Sequence, residues 1–317
     1  MKIRLMRFLA VLLGVFLFGG TANAGGYSTF DFLRLPMSAR AAALGNTFLT
    51  GLNDPAMLFT NPGALSSIEG PSASIGFLKH LMDVNAGYAA YAQKYDELGW
   101  FSAGITYVNY GSFDETDKFG NLTGSTFGAS DMALSLGYGN RIENLHYGAA
   151  VKVIYSYIEE YSASGLALDA GVSYNIPEQQ IVIAASVLNL GTQLSSYGSQ
   201  NEDLPFDLRI GVGKKLEHLP LNIMLNFHKL NESADSFFDR FQNFSIGGEF
   251  DLSDSFKARV GYYNEMRREL KIGNTAKLAG FSGGFGLLVS GYMVDYAYTS
   301  LGELPGALHR FAITTTF

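Results

Sequence analysis

Hydrophobic residues recur at every second position through most of the chain from about residue 72 to the C-terminal Phe317. Between Ser130 and Tyr138, for example, Met132, Leu134, Leu136 and Tyr138 fall on one side, with Asp131, Ala133, Ser135 and Gly137 on the other. A strand with this period shows an apolar face to one neighbour and a small or polar face to the other. The same alternation sets Tyr147, Ala149, Val151, Val153, Tyr155 and Tyr157 against Gly148, Ala150, Lys152 and Ser156. It sets Leu166, Leu168, Val172 and Tyr174 against Asp169, Gly171 and Ser173, and Phe206, Leu208, Ile210 and Val212 against Asp207 and Arg209. Strands are predicted near 71–79, 83–94, 98–110, 127–139, 145–158, 164–175, 180–189, 205–215, 219–230, 242–251, 255–264, 278–289, 291–299 and 308–317.

The charges sort with the pattern. Asp131, Lys152, Asp169, Asp207 and Arg209 all lie on the face opposite the apolar one. A lysine or arginine facing lipid at the bilayer midplane costs about 2–4 kcal/mol, so this sorting is required of a membrane-spanning strand. The reading is an all-β membrane protein, a closed antiparallel transmembrane β-barrel of about 14 strands with a short, partly helical N-terminal plug. Closure follows because an open edge in hydrocarbon would leave backbone N–H and C=O groups unpaired. With both termini on the inner side, long polar connections at 111–126, 190–204, 231–241 and 265–277 all face outward. The intervening turns are short, and Tyr138, Tyr147, Tyr157 and Tyr174 fall near strand ends, where interfacial aromatic belts form.

The amino terminus supplies the compartment. Lys2, Arg4 and Arg7 precede an apolar run from Phe8 to Phe18, and Ala22-Asn23-Ala24 provides a small-x-small cleavage site. Residues 1–24 therefore read as a secretory leader. The rival reading is a retained anchor, but the run falls short of the roughly 20 residues a spanning helix needs. Removing those 24 residues and their three basic side chains from 317 leaves 293, with 19 basic against 29 acidic groups, a net −10. Such a balance disfavours nucleic acid as a partner. Absence of cysteine excludes a disulfide scaffold and a thiolate nucleophile or metal site.

Residues 25–70 break the alternation. Ser38 to Phe48 is alanine-rich and helical in composition, and it stops at the turn formers Asn53-Asp54-Pro55 and Asn61-Pro62-Gly63. The division is thus 1–24 leader, 25–70 plug and 71–317 barrel. Arg40, a lone cation on the alanine-rich segment of the plug, is expected to pair with a lumenal acid such as Asp131 or Asp169. Gly45 permits a helix end, and Asn61-Pro62 ends the plug and turns the chain toward the first strand. The alternative for these residues is a ligand-gating role.

Little else carries chemistry. His80, His146, His218, His228 and His309 show no metal-ligand spacing, and no G-x-S-x-G elbow occurs. Four of those histidines, all but His228, read as solvated at strand ends or in loops. Asp114 to Asn121 lacks the glutamate and spacing of a calcium loop and reads as an exposed polar loop. Gly280-Phe-Ser-Gly283-Gly284-Phe-Gly286 has no following helix, so small residues against a crowded lumen or plug explain it better than a phosphate cradle. No cofactor and no enzymatic activity are expected. The outward loops are the candidate partner surface: Glu232, Asp235, Phe237, Phe238 and Asp239 in one, Arg267 and Arg268 in another. Equally, these loops could merely pack over the barrel mouth.

One resemblance covers nearly the whole chain after the leader. Phe32-Leu-Arg-Leu-Pro-Met-Ser-Ala-Arg-Ala-Ala-Ala-Leu-Gly45, then Asn53-Asp54-Pro55 and Phe59-Thr-Asn-Pro-Gly-Ala-Leu65, resembles the start of the PorV/PorQ family. Gly104 to Gly111, Gly128 to Asp131, Ala184 to Gln193 and Leu204-Pro-Phe206 leading to Gly213-Lys-Lys-Leu216 resemble its PorQ branch. The resemblance implies a barrel related to the fatty-acid transporter FadL, in the outer membrane, within the type IX secretion system. Its implied partners are outer-membrane lipid and the attachment-complex proteins PorZ, PorU and PorV, which join cargo to lipopolysaccharide. The aromatic C-terminal residue on a final amphipathic strand likewise resembles the signal read by bacterial barrel-insertion machinery. The competing expectation is a FadL-like importer of hydrophobic small molecules; an outer-membrane hydrolase has only fold analogy behind it.

Overall fold

The computed structural model describes residues 28–79, 84–233, 236–270, 277–302 and 306–317. The leader, His80 and Asp235 lie outside them. Fourteen strands form one closed antiparallel barrel: β1 (Ser72–Lys79), β2 (Asn85–Tyr95), β3 (Gly99–Thr116), β4 (Leu122–Ile142), β5 (Leu145–Ile158), β6 (Tyr161–Ile176), β7 (Ile181–Ser195), β8 (Asp207–Lys215), β9 (Leu221–Phe227), β10 (Phe244–Ser253), β11 (Phe256–Tyr263), β12 (Phe281–Val289), β13 (Tyr292–Ser300) and β14 (Ala307–Thr316). Each strand pairs with its sequence neighbours. β1 closes on β14, with Ser72 opposite Thr316, Ile75 opposite Ile313 and Lys79 opposite His309. No backbone edge is left along the wall, as the fourteen alternating segments require.

Alternation in sequence becomes alternation in space. On β4, Leu134 and Leu136 are 49% and 64% exposed, whereas Asp131 and Ser135 between and beside them are buried. Ile75 and Phe77 on β1, Val153 and Tyr155 on β5, and Phe311 and Ile313 on β14 also point outward. A large exposed apolar surface on every strand is untenable in water and normal against lipid tails. Aromatic rings gather at the barrel end that carries the short turns, where Tyr95, Phe101 and Tyr138 pack edge to face at 5.6 and 5.3 Å.

The connections depart from expectation in one place above all. Residues 111–126 are not a loop. β3 and β4 continue as a ribbon, with Phe113 opposite Phe127 and Thr116 opposite Leu122, and only 117–121 turn the chain. Both faces of this ribbon meet water, so its sequence has no reason to alternate and the strand signal vanishes. Similarly, β7 runs on to Ser195, into the connection expected at 190–204. The 231–241 connection leads into a 3-10 turn over Phe237–Gln242, and the 265–277 connection opens with a short helix, α2 (Asn264–Glu269).

The ribbon's tip is built on Asp117. Its carboxylate accepts from the backbone N–H of Asn121 at 2.9 Å and of Phe119 at 2.8 Å. Those hydrogen bonds, first to Asn121 and then to Phe119, hold the group below the usual carboxylate range although it is fully exposed. Because the folded value is depressed, the tip's extra stability is complete above about pH 4 and disappears as the pH falls through the lowered value. The amide resonances of Phe119 and Asn121 are expected to move together through that acid window, and Asp117→Asn should abolish the movement.

Candidate functional site: a lumen closed by the plug

Short, capped pieces make up the plug. The helix α1 (Ala39–Ala43) starts at Ser38, whose side chain accepts from Ala41 N. It ends where Gly45 and Asn46 take left-handed backbone, φ 66° and 65°. Asp54 caps a 3-10 turn over Pro55–Phe59, and Asn61 caps another over Pro62–Ser67. In both, proline occupies the first helical positions, where its missing N–H is harmless. Polar side chains that sequence reading assigns to turns thus fix backbone inside the lumen, where water cannot do so. Asn53, also left-handed at φ 52°, ties the two ends of this segment through Ser67 Oγ at 2.8 Å and Glu69 N.

Arg40, Gly45, Asn61 and Pro62 reach different parts of the wall. Arg40 binds Glu249 on β10 through two nitrogens, at 3.0 and 2.8 Å, and lies 3.8 Å from Asp54. Its partner is therefore Glu249, not Asp131 or Asp169. The height of α1 in the lumen decides this, and the spacing of charges along the sequence does not encode it. Arg259 on β11 shares the same carboxylate at 2.6 Å and binds Asp295 on β13 at 2.5 Å. Burial pushes the Asp54 carboxyl above the usual range, against the pull of Arg40. The Arg40 guanidinium also lies 4.8 Å over the Phe48 ring. Asn61, wholly buried, donates to Leu49 O at 3.1 Å and to Ser173 Oγ on β6 at 2.8 Å.

Glycine provides the remaining contact. A Cβ on Gly261 would fall 2.1 Å from Gly45 N, and one on Gly45 would fall 2.6 Å from Tyr262 N. Gly148 similarly abuts Pro62 O, and Gly284 of the glycine-rich stretch backs onto Ala43. Plug and wall therefore meet backbone to backbone. Gly261→Ala is expected to lower barrel stability by about 1–3 kcal/mol through overpacking. Gly198→Ala, whose Cβ meets nothing within 4 Å, should be neutral in the same thermal unfolding series.

The five lumen charges expected from the alternation are all buried, and four of them pair among themselves. Lys152 binds Asp169 and Asn189 Oδ1, each at 2.7 Å. Arg209 binds Asp207 at 2.7 Å. Asp131 accepts from Tyr110 and Ser156. A small cavity of about 40 Å³ remains between plug and wall, lined by Phe32, Arg34, Met37, Phe59, Lys152 and Arg209 among others.

At the long-loop rim, Glu232 turns inward. It lies 3.6 Å from Arg34 of the plug, and burial raises its carboxyl. Arg267 donates to Lys277 O, Arg268 to Asn243 Oδ1, and Asp239 accepts from Gln242. Phe238 is 78% exposed, while the Phe237 side chain lies outside the described residues. The candidate partner residues are thus split between a rim lock and the surface.

Glu249, Arg259, Asp295 and Arg310 are the fasteners that sequence reading misses. Arg310 on β14 donates to Pro36 O at 2.9 Å and Thr299 Oγ1 at 3.1 Å. A usable signal existed: a charge in the middle of a membrane strand must point inward. His146, expected in solvent, is instead buried with Nδ1 2.7 Å from Ser66 Oγ. Trp100 donates to Ile68 O at 2.8 Å and holds the plug's far end.

No family model matches the chain, and no curated protein is significantly similar to it. Solved structures do match. The Pseudomonas putida toluene transporter TodX superposes with a TM-score of 0.59 at 12% identity, over 87% of this chain and 96% of that one. A Pseudomonas aeruginosa FadL homologue gives 0.58 at 12% identity, over 89% and 98%. The fold is that of FadL-type outer-membrane barrels, fourteen antiparallel strands closed into a cylinder.

Proposed function

We propose that this chain is a non-enzymatic outer-membrane anchor of the PorV/PorQ kind, working in the type IX secretion system. Its task in this reading is to hold surface partners of the PorZ, PorU and PorV type at the long-loop rim, where cargo is joined to lipopolysaccharide. The supporting observation is what the family-like residues do. Arg40, Gly45, Asn53, Asp54, Asn61 and Pro62 all fasten plug backbone, to itself or to the wall. A signature that ties a plug to the barrel wall suits display of a rim better than passage through it. Deleting the chain should release attachment-complex proteins from the cell surface, measured by quantitative proteomics of washed cells and medium. Unchanged retention would contradict this reading.

A second reading is a FadL-like channel for hydrophobic small molecules. The likeness to TodX and to the FadL homologue supports it directly, whereas the secretion reading rests on the motif resemblance and the fastened plug. Liposomes containing the purified barrel should then take up labelled toluene or oleate faster than empty liposomes. Equal rates would remove this reading.

A further inference from the structure

The β3–β4 ribbon does not belong to the membrane wall. A spanning barrel strand needs about 9–11 residues, whereas β3 has 18 and β4 has 21. Neighbouring strands stop early: β2 ends its pairing at Asn85 opposite Asn109, and β5 ends at Ile158 opposite Ala129. Beyond them Ser112 to Thr116 pairs only with Leu122 to Gly128, so the ribbon rises roughly 20 Å past its neighbours at the usual strand rise. Among the described residues, no third strand covers either edge there. Unpaired edges are templates for another backbone, and proteins usually hide them.

Three further features set the chemistry of what fits. Phe113, Phe119 and Leu122 are 42%, 78% and 70% exposed in a segment outside the lipid zone. Phe113 and Phe127 stack at 5.4 Å, and Asp117 shapes the tip, so the arm is ordered before it meets anything. Its charges are Asp114, Glu115 and Asp117 against Lys118, with Glu159 and Glu160 on the adjoining β5–β6 turn. An acidic arm repels a second copy of itself and an anionic lipid surface.

We infer that the ribbon spanning residues 112–127 is a docking arm for an extended, basic segment of a soluble exported protein, which pairs with its free backbone edge and covers Phe113, Phe119 and Leu122. A polypeptide is the occupant because another backbone can continue the hydrogen-bond ladder along a strand edge. The inference deepens the anchoring reading and rests on it, naming the part of the rim that holds the partner.

The test uses the full chain in its own cells, compared in three strains: the natural barrel, no barrel, and a barrel with 112–127 replaced by an Asn-Gly turn. A photoreactive phenylalanine analogue at Phe119, with one at Phe285 on the lipid-facing wall as control, identifies what touches the arm. The expected result is a cross-link from Phe119, absent from Phe285, to a lysine- or arginine-bearing segment of one exported protein. Retention of that protein should fall by about thirtyfold in the ribbon-less strain, the scale of losing an interface anchor. Rising salt should weaken it in the natural strain. Cross-links only to lipopolysaccharide, only to a second copy, or to nothing overturn the inference. So does a partner that leaves when the barrel is deleted but stays on the ribbon-less barrel, which spares the anchoring reading. If deletion of the barrel releases no surface protein, the anchoring reading fails with it.

Discussion

Glu249→Ala should destabilise the folded barrel by about 3–5 kcal/mol, the range for removing one partner of a buried ion pair. The magnitude follows from what is left behind. Glu249 is 4% exposed and accepts from both Arg40 and Arg259, so its loss strands two cations, one on the plug and one on β11. Asp54 stands 3.8 Å from Arg40 and Asp295 stays with Arg259, which limits the damage without cancelling it. Arg40→Ala should do less, because Glu249 then keeps Arg259. Denaturant unfolding in detergent, followed through Trp100, measures both. Trp100 is the chain's one tryptophan and holds the plug's end through Ile68. Limited proteolysis should show the plug cut faster in both variants, Glu249→Ala first. Plug cleavage in Glu249→Ala no faster than in the natural chain would mean that the plug is not fastened through this carboxylate.

Leu134→Arg is expected to cost about 2–4 kcal/mol, from placing a guanidinium against lipid near mid-span. Leu134 is 49% exposed and sits on the outer face of β4 between Ala133 and Ser135, which turn inward and are buried. In folding from urea into phospholipid vesicles, the loss appears as a lower midpoint. Leu134→Phe, which keeps the surface apolar, should leave the midpoint near that of the natural chain. A harmless Leu134→Arg would place that face in water.

Most of the wall was legible because lipid and lumen act on alternate residues of every strand. That pressure writes a period of two from Met132 to Tyr138 and from Leu166 to Tyr174 with equal force. It fades where both faces meet one solvent, which is why residues 111–126 read as a loop when they form a ribbon. The division of 265–300 into β12 and β13 came within about three residues, since Gly280 to Gly286 leaves few side chains to show a face. In the site, Asp131, Lys152, Asp169, Asp207 and Arg209 were legible as inward charges. Their pairing was not. Whether Arg40 meets Asp131, Asp169 or Glu249 depends on where a five-residue helix comes to rest, and that is set by backbone contacts at Gly261, Gly247 and Gly284. Glycines record such contacts only as missing side chains, so the signal is silent in one sequence.

The chain has no cysteine, so single cysteines can be placed along β4 from residue 122 to residue 138 and spin-labelled in vesicles. Accessibility to oxygen, which concentrates in lipid, should peak at 132, 134, 136 and 138. It should be low at 131, 133, 135 and 137, and from 122 to 128 it should give way to accessibility to a water-soluble nickel complex on both faces. A flat profile, or water-type accessibility at 134 and 136, would contradict a lipid-solvated closed barrel with a plug in its lumen.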